Sequence, residues 1–193
     1  MNNIQEAFIQ DLRKIIDKNC FQIGFSLESI ILLDFGRVLI DAKPRTHPKT
    51  KDYLTHGEYS LRVVTAWRIE KNNKIFCTWN YYDGYYDNEG NYHDNRAKTL
   101  TVLEDNLIKI LENKKVVDVF IDENTKDFYI DFEENIRFRV FCEMNQWDWN
   151  DETSEMYIFT TKNDLYSIET NDTIIHEDLK GEFIYYEDFL KSN

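Results

Sequence analysis

The stretch that most constrains this chain is 116–142, VVDVFIDENTKDFYIDFEENIRFRVFC, where apolar and polar residues alternate through three consecutive segments. Val117, Val119 and Ile121, then Phe128, Ile130 and Phe132, then Ile136, Phe138, Val140 and Cys142 recur at every second position. A strand presents alternate residues to one face, so the stretch predicts an antiparallel meander with that face in the core. The turns set the register. A two-residue loop at Glu134-Asn135 would place Phe132 opposite Arg137 and make the faces of neighbouring strands disagree. A three-residue loop, Glu133-Glu134-Asn135, instead pairs Phe132 with Ile136, Ile130 with Phe138 and Phe128 with Val140, and puts Asn135 where a left-handed residue is wanted. The same matching across 123–126 pairs Ile121 with Phe128, Val119 with Ile130 and Asp118 with Asp131. The outward row Asp118, Asp131, Arg137 then reads either as a solvated ion pair offsetting a like-charge contact or as a polar binding row.

Around this meander the pattern predicts further elements. Residues 3–18 carry Ile4, Phe8, Leu12, Ile15 and Ile16 on one helical stripe, with Asp11, Arg13, Lys14 and Asp17 mostly off it. Residues 96–112 carry a second stripe, Ala97, Leu100, Leu103, Leu107, Ile110 and Leu111, with Asp94 or Asn95 as cap. Strands are expected over 21–27 and 30–40, the second bent at Phe35-Gly36. Two more hairpins are expected. One joins 61–70 to 75–80 through Lys71-Asn72-Asn73, pairing Ile69 with Ile75 and Trp67 with Cys77. The other joins 156–160 to 164–169 through Thr161-Lys162-Asn163, pairing Phe159 with Leu165. Each of the three loops closes on an asparagine, which predicts positive φ at Asn73, Asn135 and Asn163. Both prolines fall in the long connection 42–59, and the aromatic segment 182–190 is left open by its pattern. Together these give one α+β domain over residues 1–193, mainly antiparallel sheet in hairpins and a meander, with an N-terminal helix and a second helix at about 96–112.

Charge and motifs narrow the function classes. With 23 basic and 36 acidic residues the net charge is −13, which argues against a nucleic-acid partner and leaves open a basic protein partner, a mimic of nucleic-acid charge, or acidity that only keeps the protein soluble. Cys20, Cys77 and Cys142 are widely spaced and read as buried thiols in a reducing compartment. No apolar run reaches membrane-spanning length, and the charged start is unlike a signal peptide, so a cytoplasmic location is expected. His47, His56, His93 and His176 show no metal-ligand spacing, and no nucleophile-elbow or phosphate-loop motif occurs. No metal, cofactor or catalytic residue is therefore assigned.

Two aromatic-acidic loops stand out. The first, 81–95, contains Tyr82, Asp83, Tyr85, Tyr86 and Asp87, and no frame of it fits a calcium-binding EF-hand loop. The second, 145–155, contains Trp147, Asp148 and Trp149. Tyrosine and tryptophan at such positions either pack locally, the tryptophans as a lid on the core, or anchor a protein partner. The alternative function class is a small-ligand binder or an enzyme of unknown class with its site near the 42–59 loop, drawing on His47, His56, Arg68 and His93.

Three pieces of the chain, in order, add a resemblance: ILLDFG (31–36), SLRVVTAWRIEKNNKIFCTWNYYDGYYD (60–87) and VVDVFIDENTKDFYIDFEEN (116–135). They resemble the strand, the L-x-V-x-x-x-W-R-I hairpin with its acidic loop and the V-x-x-D-x-x-T-x-D-x-x-x-x-F meander of a set of small uncharacterised bacterial proteins, some found near polymorphic toxin systems. Trp67, Arg68 and Asp83 or Asp87 match that pattern. The usual His and Cys of its first strand are replaced by Arg62 and Thr65 or absent, and Asn80 or Tyr81 stands where small residues precede the loop. The resemblance implies an immunity-type inhibitor that neutralises a toxin domain by direct contact, and it assigns no catalytic residue. Trp67 is expected in the core, with Arg68 outward on a carboxylate or an aromatic ring.

Overall fold

The computed structural model describes residues 3–25, 30–47, 52–78, 85–86, 92–93, 110–122, 124–142, 155–169 and 173–192. The N-terminal stripe folds as helix α1 (Asn3–Arg13), with Phe8 and Leu12 buried. It is shorter than predicted: residues 14–17 form a turn, and Asp17 at φ 66° redirects the chain. Asp11 was expected off the apolar stripe and is buried, because its Oδ2 accepts a hydrogen bond from the Tyr166 hydroxyl at 2.8 Å.

The strands follow in order: β1 (Asn19–Phe25), β2 (Ile31–Asp41), β3 (Thr55–Val63), β4 (Ala66–Lys71), β5 (Lys74–Thr78), β6 (Tyr85–Tyr86), β7 (Tyr92–His93), β8 (Lys114–Ile121), β9 (Phe128–Phe132), β10 (Ile136–Phe141), β11 (Glu155–Thr161), β12 (Asp164–Glu169), β13 (Ile174–Asp178) and β14 (Phe183–Tyr185). The aromatic C-terminal segment supplies β14 and a short helix, α2 (Tyr186–Ser192). The predicted second helix lies outside the described residues except at its end, where residues 110–111 are helical and Ile110 and Leu111 are buried. Among the described residues no helix is long and apolar enough to cross a membrane.

All pairings are antiparallel, in the order β13-β12-β11-β3-β2-β1-β8-β9-β10-β4-β5, with β14 added to β2 and β6-β7 a separate pair. The predicted continuous strand over 61–70 is in fact two strands. The Val64 and Thr65 amides donate to the Met156 carbonyl, and the chain leaves β3, which pairs with β2 and β11, for β4, which pairs with β10 and β5. In the sheet order β3 and β4 are six strand positions apart, roughly 29 Å if laid flat, whereas the step from Val63 to Ala66 spans at most about 11 Å. The sheet must therefore curl until its two halves face each other. The core fills that curl. Phe35 stacks on Phe132 at 6.3 Å, Phe128 meets Tyr157 at 4.9 Å, Trp67 meets Phe138 at 6.1 Å, and Phe8 of α1 lies against Tyr157 and Phe159.

The bend at Phe35-Gly36 is a bulge between β2 and β3, with Gly36 at φ 80°. Opposite it, a Cβ on Gly57 would stand 2.8 Å from the Phe35 amide nitrogen, so only glycine fits. Because β3 already begins at Thr55, the 42–59 connection is shorter than its sequence suggests.

In the meander the pairs Phe132–Ile136, Ile130–Phe138, Phe128–Val140, Ile121–Phe128, Val119–Ile130 and Asp118–Asp131 all form as predicted, with Asn135 at φ 55°. The other hairpins differ. At 71–74 the turn has two residues, Asn72 and Asn73, both left-handed, and a bulge at Phe76 restores the faces, so that Ile69 pairs with Cys77 and Glu70 with Ile75. At 161–164 Phe159 pairs with Tyr166 instead of Leu165, and Asn163 stays out of the left-handed region. There the Thr161 hydroxyl accepts from the Asn163 and Asp164 amides and closes the turn without it.

Candidate functional site

The half-sheet β8-β9-β10-β4-β5 turns one face to the core and the other outward. Strand registers place the outward residues in two cross-strand rows: Phe120, Tyr129, Arg139, Arg68 and Thr78, then Asp118, Asp131, Arg137, Glu70 and Ile75. Within them Arg137 forms a two-pronged pair with Asp131, its Nε and Nη2 donating at 2.6 and 2.8 Å, and its guanidinium lies 3.9 Å over the Tyr129 ring. Arg68 donates from Nε to Glu70 at 2.5 Å and lies 5.0 Å over Phe141, so it takes both expected partners, a carboxylate and a ring. Phe120 stacks on Tyr129 at 5.0 Å. The row Asp118, Asp131, Arg137 thus contains the predicted ion pair, embedded in a larger arginine-aromatic lattice.

Apolar side chains border this lattice because the strands slip register beside it. Val117, expected in the core, is the extra residue of a bulge in β8; Val116 takes the core position, and Val117 is 56 % exposed. Phe120, near it on the outer face, is 47 % exposed. On β5, at the sheet edge, the bulge leaves Ile75 64 % and Phe76 42 % exposed, although Ile75 was expected opposite Ile69. A bulge adds one residue to one strand and re-aims its neighbours, which is how an alternating pattern comes to place apolar residues outside. Aromatic and arginine side chains beside apolar ones match the composition of protein interfaces.

Of the predicted partner-binding residues, Tyr82, Asp83, Asp87, Trp147, Asp148 and Trp149 lie outside the described residues. Tyr85 and Tyr86 form β6, paired with Tyr92 and His93 of β7. The strands from which the two loops depart are described. β5 ends at Thr78 and β10 at Phe141, and both border β4, pairing with its first residues Arg68 and Ala66. With two strand spacings across and two residues of offset along β4, the departure points are about 12 Å apart, at one end of the outer face.

The alternative site near the 42–59 connection is a cleft of about 490 Å³ lined by Asp41, Lys43, Arg45, His56, Glu182 and Phe183, among others. The Asp41 carboxylate accepts from Arg45 Nε at 2.8 Å and stands 3.2 Å from His56 Nε2, while Phe183 packs edge-on against the imidazole. Of the four residues proposed for this site only His56 lines it. Arg68 is on β4 in the other half-sheet, His93 is on β7, and His47 bonds through its backbone to Asp52. No serine, threonine or cysteine lines the cleft, so the Asp41–His56 pair has no nucleophile to activate among the described residues.

The three cysteines are free thiols and buried, and burial pushes Cys77 up to about 11 and Cys20 higher still, so neither forms a thiolate readily. Among the described residues no cluster of three metal-ligating side chains occurs. No model of a known protein family matches the chain, and neither curated proteins nor solved structures yield a match.

Proposed function

We propose that the protein is a binding protein that engages a basic protein partner through the outer face of β8-β9-β10-β4-β5, in the manner of an immunity-type inhibitor. The observation that carries this reading is the exposure of Val117, Phe120, Ile75 and Phe76 around an arginine-aromatic lattice on one side of the sheet. A net charge of −13 would speed encounter with a basic partner, and the apolar and aromatic groups would hold it. The face measures roughly 24 by 20 Å, below the ~800 Å² per partner of a stable complex, so additional contacts are required. The loops carrying Tyr82, Asp83, Tyr85, Tyr86, Asp87, Trp147, Asp148 and Trp149 are the proposed source, because their parent strands flank β4 and end at the same end of the face. The toxin-directed, cytoplasmic version of this reading rests on the resemblance of the W-R-I hairpin and the meander. The test is to isolate the partner with tagged protein and follow association by stopped flow. Asp83→Lys with Asp87→Lys should slow association and flatten its salt dependence, and Trp149→Ala should speed dissociation. Unchanged rates in both variants would remove the loops from the interface.

A second reading, small-ligand binding in the Asp41–His56 cleft, is favoured by the convergence of Asp41, Arg45 and His56 on one concave space. Asp41→Ala would then abolish binding of a cationic ligand and leave partner capture intact.

A further inference from the structure

At one end of the outer face, where the β8–β9 turn meets the end of β10, lies a separate cavity of about 370 Å³. Its walls include the rings of Phe120, Tyr129 and Phe141, and Arg139 contributes a cation. Asp122, Thr125 and Asp127 of the turn also line it. The volume is that of a site for a small organic molecule.

The arginines beside it share their carboxylates unevenly. Three guanidiniums, those of Arg68, Arg137 and Arg139, share the carboxylates of Glu70 and Asp131. Asp131 is taken by both prongs of Arg137, and Glu70 by Arg68. Among the described residues Arg139 has only the longer ion pair to Glu70, which Arg68 holds more closely. Its Nε is buried, makes no hydrogen bond among the described residues, and lies 3.7 Å from Glu70, while its guanidinium sits 5.9 Å from the centre of the Tyr129 ring. A guanidinium whose carboxylate is shared with a second arginine has donors to spare, so an anion brought to the free edge of Arg139 would gain charge-assisted hydrogen bonds.

The carboxylates on the opposite side are already committed. Asp127 accepts from the Cys142 amide at 2.6 Å, and Asp122 accepts from the Asn124 and Thr125 amides at 2.8 and 3.0 Å. The amide bonds from Thr125 and Asn124 hold Asp122 below its ordinary value. The field of these carboxylates admits a singly charged anion more readily than a phosphate. We propose that this cavity binds a monocarboxylate attached to a flat apolar group, the carboxylate on Arg139 and the flat group between the aromatic walls. This inference stands apart from the partner reading, since it needs no second protein.

Titration calorimetry on the full chain tests it with N-acetylphenylalanine, its neutral isostere N-acetylphenylalaninamide, and inorganic phosphate. The acid is expected to saturate and to bind at least about tenfold more tightly than the amide, as a charge-assisted hydrogen bond is worth; phosphate should not saturate. Arg139→Gln should erase the difference between acid and amide. Phe120→Ser should weaken both, and Arg137→Gln should retain the preference for the acid. Thermal melts of each variant verify folding. A pentapeptide ending in a free phenylalanine carboxylate distinguishes two sources of the same chemistry: tighter binding than the free acid means a chain terminus, equal or weaker binding a small metabolite. Equal affinity for acid and amide, an unaltered preference in folded Arg139→Gln, or no saturation by the acid would overturn the proposal.

Discussion

Asp34 is a carboxyl on β2 whose Oδ1 has no hydrogen-bond partner, and burial raises it above its ordinary value against the lowering effect of hydrogen bonds from Ser60 and the Gly57 amide. The sign of its contribution follows. Above its raised folded-state value the ionised carboxylate costs stability, and as pH falls through that value the folded protein takes up the proton first and the cost is relieved. Asp34→Asn is therefore expected to raise the melting temperature at neutral pH, and its advantage over the wild type should shrink as the pH falls to about 4, in the ordinary carboxylate range. An advantage independent of pH, measured by paired thermal melts, would contradict this account of Asp34. Phe138, fully buried against Trp67 in the meander, is expected to cost about 3 to 5 kcal/mol on truncation to alanine, read from denaturant melts. Its burial was legible in the alternation of β10 alone. That of Asp11 was not, since its reason is the hydroxyl of Tyr166, 155 residues away.

Among the elements, bulges separate what the sequence predicts from what the chain does. The meander registers follow from matching apolar faces across a three-residue loop, and they form as expected because a one-residue slip would expose a whole face. A bulge escapes that logic: it shifts a single residue and leaves the rest of the alternation intact. The slips at Val117 and Phe76 were therefore invisible in the pattern, and with them the exposure of Val117 and Ile75, whereas Phe120 faces outward by plain alternation. The change of sheet half at Val64-Thr65 was hidden for the same reason, since the apolar run continues through it. The bulge opposite Gly57 supplies a test at this scale. Gly57→Ala should cost about 1 to 3 kcal/mol, because the added methyl meets the backbone of β2 and not a side chain that could yield. A melt indistinguishable from wild type would mean that β2 and β3 can separate there at little cost.

For the whole molecule, the curl of the sheet is the organising fact. It encloses the core between two half-sheets and leaves the outer face of β8-β9-β10-β4-β5 with an arginine-aromatic lattice bordered by exposed apolar residues. The sequence points to its acidic, aromatic-rich loops as the proposed binding elements; the sheet face emerges only from the fold, because its residues come from two separate stretches of chain, 66–78 and 114–141. The most direct test of the proposed binding face is the dissociation constant of the isolated partner for wild-type protein and for Phe120→Ser with Phe76→Ser, both verified as folded. Interface anchors each cost upwards of about 1 kcal/mol, so the double variant is expected to bind at least about 30-fold more weakly. An unchanged dissociation constant would place the interface elsewhere on the molecule.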